Sequence, residues 1–293
     1  MERERWLVLY ARAHELSRGW GFGNSYSTAC IVGVFLWAAV HDRPVSWACQ
    51  VENWPAEVDF GKLPSQSTMS RRLRSEPVKN LLNVLERALF SDVSSRSVQS
   101  ENAELQTQII DAKPLPVGGY SKDSDAHWGR ACGGGARGYK FFAIWGQSPL
   151  PTAWELGPMN VSEKKMAEKL LPQLSGKGWL LADAQYDSNR LYDLAFAHGY
   201  RLLAPRRKKG GLGHHYQSPH RLYAIEQLEG NQRPDFHRQR IQIERNFGHW
   251  TSFGGGLAPL PSWVRRGHRV RLWVQAKLLI NAVRIHQRWL AAA

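Results

Sequence analysis

The feature that most constrains the fold is a change of hydrophobic period near residue 100. Before it, apolar residues recur at helical spacing; after it, they gather in short runs bounded by Gly, Pro and Asp. Residues 1–95 therefore read as all-helical: a segment near 4–17, the apolar run CIVGVFLWAAV, a short Trp-rich stretch, and LPSQSTMSRRLRSEPVKNLLNVLERALF. The apolar run is too short to span a bilayer and reads as buried helix. Ser65 is placed to cap one helix, and Pro77 restarts the chain into another, with Val78, Leu81, Leu82, Leu85 and Leu89 on one face. The short helix between them carries Arg71, Arg72 and Arg74, the outline of a helix-turn-helix recognition element. A basic helix solvated on a bundle surface has the same outline.

SDVSSRSVQSENAEL (91–105) is rich in Ser and poor in apolar residues, so the linker is placed at 96–105, between a helical domain (1–95) and a second domain (106–293). In the second, LQTQIIDAKPL reads as a strand ending near Asp111, followed by the strands GYKFFAIWGQ and LPTAWELGPM. Asn160 and Glu163 resemble a capping box opening a helix through Met166, Leu170 and Leu171. GWLLADAQYD is a fourth strand with Asp183 near its end. A helix follows, capped by Asp187 or Ser188 and stopped by Gly199, and then the strand YRLLAPRR. A basic, Gly- and His-bearing loop runs to about 233, then come the helix holding RIQIERNFGHW and a long helix over about 265–290. Three strands followed by alternating helices and strands predict an α/β domain: a mixed sheet flanked by helices, with its first and fourth strands able to be neighbours.

Charge narrows the partner. The 39 Lys and Arg outnumber 25 Asp and Glu, giving +14 and a pI near 10.0, which suits a polyanion, nucleic acid first. Cys30, Cys49 and Cys132 are odd in number and lack C-x-x-C spacing, which fits a reducing cytoplasm and excludes a cysteine zinc site. No secretion signal or membrane segment is expected. His214, His215 and His220 lack a fourth ligand and read as a DNA-contacting loop. CGGGARG has no phosphate-loop spacing and reads as a loop. Most of the thirteen tryptophans should be core.

Asp111 follows QII and Asp183 follows LLA, so each acid ends an apparently buried run, where a carboxylate is costly unless paired or bound to metal. Either one alone also suits a turn aspartate. On the later helix, Ile243, Phe247 and Trp250 form the apolar stripe, and Glu244 lies about 60° from Ile241 and from Phe247 instead of opposite it. An ion pair of Glu244 with Arg240 one turn earlier, at about 0.2–0.5 kcal/mol, does not account for that location.

These residues resemble the DDE transposases of bacterial insertion sequences, whose catalytic domain has a ribonuclease H-like fold. The first acid matches IIDAKPL, the second LLADAQYDS, and the glutamate the Arg-x-x-x-Glu of RIQIERNFG, while ARGYKFF looks like the family's Gly-Tyr-Lys strand. The resemblance covers roughly residues 105–285. It implies Asp111, Asp183 and Glu244 as catalytic metal ligands for two Mg²⁺ ions, with Mn²⁺ able to substitute. Asp111 would bridge the ions, Asp183 and Glu244 would complete one site each, and Arg240 would hold a phosphate or orient the glutamate. Water would attack at the element's end, and the freed 3′-hydroxyl would then attack target DNA. Relatives carry Tyr seven residues before the glutamate and Lys seven after; here His237 and Thr251 stand there, with His237 left as the phosphate-side candidate.

Arg206, Arg207, Lys208 and Lys209, and Arg265, Arg266, Arg269 and Arg271, are the expected backbone contacts to double-stranded DNA, each cluster also readable as a solvated face. The partners implied are transposon ends, target DNA and a second copy in a homodimer; the location is a bacterial cytoplasm, at the nucleoid when bound. A nuclease without strand transfer and a catalytically silent DNA-binding protein of the same fold are the alternatives.

Overall fold

The computed structural model describes residues 1–20, 25–58, 61–97, 106–131, 133–207, 212, 215–229, 238–241, 245, 248, 256–257 and 259–292. Two compact units result. The first is Met1–Arg96 with Gly254–Leu257 and Pro261–Ala293, and the second is Ser97–Phe253 with Ala258–Leu260.

The first unit contains α1 (Glu2–Leu16), α2 (Thr28–Val40), α3 (Val45–Ala48), α4 (Gln66–Arg72), α5 (Glu76–Ser97) and α9 (Gly267–Ala292). Helix α2 is apolar on every side and buried on every side, as an all-round hydrophobic helix must be. Ser27 caps it by accepting from the Cys30 N–H at 3.1 Å, and Ser65 caps α4 through the Thr68 N–H at 3.3 Å. Tryptophans hold α1 to α2: the Trp6 indole donates to the Gly33 carbonyl at 2.9 Å, and its ring meets Trp37 edge-on and Trp54 edge-on. Val78, Leu81, Leu82, Leu85 and Leu89 are buried along α5 as the spacing predicts.

Helix α9 departs from the domain limits read in the sequence, which grouped it with the sheet. It packs on α1 and α2, and Gln275 donates to Asn83 at 3.0 Å and to Glu86 at 2.8 Å on α5. Lys277, almost fully buried, donates to the Ala39 carbonyl at 3.0 Å and pairs with Asp42. Burial pushes the Lys277 ammonium below its usual range, an effect the Asp42 bond opposes.

The second unit is a six-stranded mixed sheet of β1 (Gln106–Pro116), β2 (His127–Ala131), β3 (Gly134–Trp145), β4 (Pro151–Pro158), β5 (Gly178–Leu181) and β6 (Tyr200–Leu203), with α6 (Glu163–Leu170), α7 (Asn189–Ala197) and α8 (Pro219–Glu229). The order is β2-β3-β1-β5-β6, with β4 also on β3; β1, β3 and β4 form an antiparallel meander, and β1, β5 and β6 run parallel. This is the mixed sheet with helices, preceded by helices, that the sequence predicts.

Three local readings change. Of CGGGARG, read as a loop, Gly134–Gly138 instead belong to β3 and pair with β2, and Gly133 at φ 83° takes the turn before them. The capping box does not form: α6 starts at Glu163 with Ser162 before it and no side-chain cap. The loop expected up to 233 contains α8, opened by Ser218, whose Oγ accepts from the N–H groups of His220 and Arg221 at 3.2 and 3.4 Å. Glu244, His237, Lys208, Lys209, His214, Cys132, Ile243, Phe247, Trp250 and Thr251 lie outside the described residues.

Candidate active site

The parallel ladder between β1 and β5 stops at the pair Ile109 and Leu181. Asp111 stands two residues beyond Ile109 and Asp183 two beyond Leu181, so both acids leave the same ends of neighbouring parallel strands. Gly178 permits this adjacency, because a Cβ there would meet the Gln106 carbonyl oxygen at 1.9 Å. Asp111 does not end its own strand, as the sequence reading had it. The chain continues to Pro116 because β3 offers an equally long partner, and Asp111 pairs with Ala143.

Each acid is held by backbone. Asp111 Oδ1 accepts from the Ala112 N–H at 2.8 Å. Asp183 begins the short 3₁₀ turn Ala184–Tyr186 and accepts from the Gln185 N–H at 2.8 Å, so it is a turn aspartate and a neighbour of Asp111 at once. Burial pushes the Asp111 carboxyl up to about 6; the Ala112 N–H opposes that, the negative charges of Asp183 and Glu163 add to it, and Arg240 opposes it. Arg240, half-buried and helical, therefore faces the same site.

Four further features near the site were not assigned to it from the sequence. Glu163, read there as a cap, pairs with Lys140 at 3.1 Å, the lysine of the Gly-Tyr-Lys strand. Tyr186 ends the turn that Asp183 begins; its hydroxyl is buried with no hydrogen-bond partner among the described residues, and burial plus the charges of Glu163, Asp111 and Asp183 push it well above its usual range. Asp187 is buried and gripped by Arg221 of α8. Lys164 donates to the Asp187 carbonyl at 2.7 Å. The available signal was the polar pair Asp187 and Ser188 straight after a buried turn.

The basic residues divide. Arg71 and Arg74 are exposed, whereas Arg72, expected beside them on an open face, is buried and donates to the Tyr26 carbonyl at 3.2 Å. Its helix is short, and the face carrying Met69 and Arg72 turns inward. Arg206 pairs with Glu229 at 3.3 Å and Arg207 is exposed. Arg265 donates to the carbonyls of Pro261 and Val264, both at 2.8 Å; Arg266, Arg269 and Arg271 are exposed. His220 stacks on Phe196 with ring centroids 3.8 Å apart. Among the described residues no group of three His, Cys, Asp or Glu is placed to hold a metal, and no helix is long and apolar enough to cross a membrane.

Fold and site together define the class: a mixed α/β domain with two carboxylates just past the end of a parallel ladder, attached to a helical unit, in a chain of charge +14. A family model described as transposase DDE domain matches residues 102–276, more than half the chain, and the chain belongs to this family of transposases. No curated protein and no solved structure matches it.

Proposed function

We propose that the protein cleaves DNA at transposon ends and joins the freed 3′-hydroxyl to target DNA, with Asp111, Asp183 and Glu244 as its catalytic acids on a ribonuclease H-like domain. The observation that carries this reading is the meeting of Asp111 and Asp183 just past the point where the ladder between β1 and β5 stops. A buried carboxylate whose ionisation is discouraged further by a second one beside it is a poor structural arrangement and a good hard-oxygen cation site, so these residues fit Mg²⁺ or Mn²⁺.

Two such ions, when bound, supply activation of a water and stabilisation of the departing 3′ oxygen. Asp111 would contact both, with Asp183 and Glu244 taking one each. Asp183 arrives pre-oriented by the Gln185 N–H. Arg240, whose charge already reaches Asp111, is placed to hold a phosphate of the strand being cut. Arg71, Arg74, Arg206, Arg207, Lys208, Lys209, Arg265 and Arg266 would position the duplex through salt-sensitive phosphate contacts. The active form would be a homodimer acting on DNA in the bacterial cytoplasm.

The test incubates the protein with DNA ending in its element's inverted repeats, a target plasmid and Mg²⁺. Nicked ends and joined products are expected, and neither with Asp183→Asn. Undiminished nicking by Asp183→Asn would remove the site assignment. Metal-dependent nicking without joined products would reduce the function to that of a nuclease, and binding without nicking to that of a silent DNA-binding protein.

A further inference from the structure

The helical unit contains a pocket of about 260 Å³ that the carboxylate site does not use. Its walls include Leu73, Leu272 and Trp273, all buried, and Trp263, which is 40% exposed. Arg43, Arg74 and Arg269 also line it, and all three are exposed. They come from three separate places, the turn before α3, the end of α4 and the first turn of α9. Among the described residues no acidic side chain lines the pocket, and the neighbouring Asp42 is engaged by Lys277.

A bare anion has no use for an apolar wall with indole rings, and an apolar ligand has no use for three arginines. A group with a planar ring and a phosphate uses both, the ring against Trp263 and the phosphates on the guanidinium groups. We propose that this pocket takes a single unpaired nucleotide of a DNA strand. Arg74 stands three residues from Arg71, so a strand followed by that exposed helix passes the opening. The proposal requires no metal and no catalysis, so it stands or falls separately from the assignment of Asp111 and Asp183.

The test uses the full-length protein in EDTA with a short single-stranded oligonucleotide carrying one bromodeoxyuridine. Ultraviolet cross-linking followed by mass spectrometry should place the adduct on Trp263 or its pocket neighbours. Trp263→Ala should weaken single-strand binding about tenfold, the size of one lost base stack, and leave fully paired duplex binding unchanged. Arg43→Ala and Arg269→Ala should each flatten the salt dependence of single-strand binding by roughly 0.7 in the log-log slope. These three side chains are exposed, so circular dichroism should show the fold retained. An adduct found only outside the pocket, or wild-type affinity in Trp263→Ala, overturns the proposal. Displacement of the oligonucleotide by an equal concentration of free mononucleotide overturns the DNA-strand assignment in favour of a soluble nucleotide.

Discussion

Arg221 grips Asp187 through two hydrogen bonds, Nε to Oδ1 at 2.6 Å and Nη2 to Oδ2 at 2.9 Å, on side chains only 14% and 5% exposed. Asp187 also accepts from the Arg207 N–H at 3.0 Å. Because Asp187 closes the turn that Asp183 opens, the pair ties α8 to the backbone carrying a catalytic candidate. Removing one partner strands a buried charge, so Arg221→Met should lose about 3–5 kcal/mol in denaturant unfolding. Burial raises the Asp187 carboxyl, but Arg221 and the Arg207 N–H outweigh it and hold the group below its usual range. Its stabilising contribution is therefore present above the ordinary carboxylate range and lost as pH falls through the depressed value. Arg221→Met should flatten the acid limb of the stability curve, and an unchanged limb would contradict this account.

Asp111 has the opposite sign. Its carboxyl rises from 3.8 to about 6, so the protonated form is favoured by folding, and that contribution to stability disappears as pH climbs through about 6. A divalent cation competes with the proton, so Mg²⁺-induced thermal stabilisation should strengthen as pH rises through this value and fade below it. In Asp183→Asn one raising charge is gone, and the Asp111 titration followed by carboxyl NMR should move down. It should remain above the ordinary value, since burial is the larger cause.

Tyr186 keeps a buried hydroxyl without a partner among the described residues. A group that has given up water and gained nothing costs stability, so Tyr186→Phe should unfold no more readily than the parent and gain up to about 1 kcal/mol. A loss larger than about 1 kcal/mol would show that the hydroxyl has a bonding role in the folded protein.

Glu244→Gln keeps the side-chain volume and removes the charge. Cleavage should vanish while thermal unfolding and DNA binding stay at parent levels. Coupled loss of folding and cleavage would favour the ion-pair reading with Arg240 over the metal-ligand reading.

Legibility in the sequence followed the range of the forces involved. Apolar period is local, so the caps Ser27 and Ser65, the buried face of α5 and the strands around Asp111 and Asp183 can all be read residue by residue. Four successive glycines and alanines between Cys132 and Arg137 carry no side-chain pattern, and only the ladder with β2 makes Gly134 and Gly135 part of a strand. Arg72 shows the converse: its charge says surface, yet the Tyr26 carbonyl, distant in sequence, holds it inside. Asp187 and Arg221 lie far apart along the chain, and no spacing rule joins them. Helix α9 is buried at every position from Leu272 to Ile280, with no single apolar stripe to name a partner, so its partners had to be seen.

That partnership has a consequence for biosynthesis. On the ribosome the first five helices emerge early, but the wall that buries their shared core is encoded by residues 267–292. The helical unit cannot close until the sheet has been made, so a nascent chain spends most of its synthesis with one face of α1 and α2 uncovered. Pulse proteolysis of stalled chains should find the amino-terminal helices protected only after α9 has left the exit tunnel.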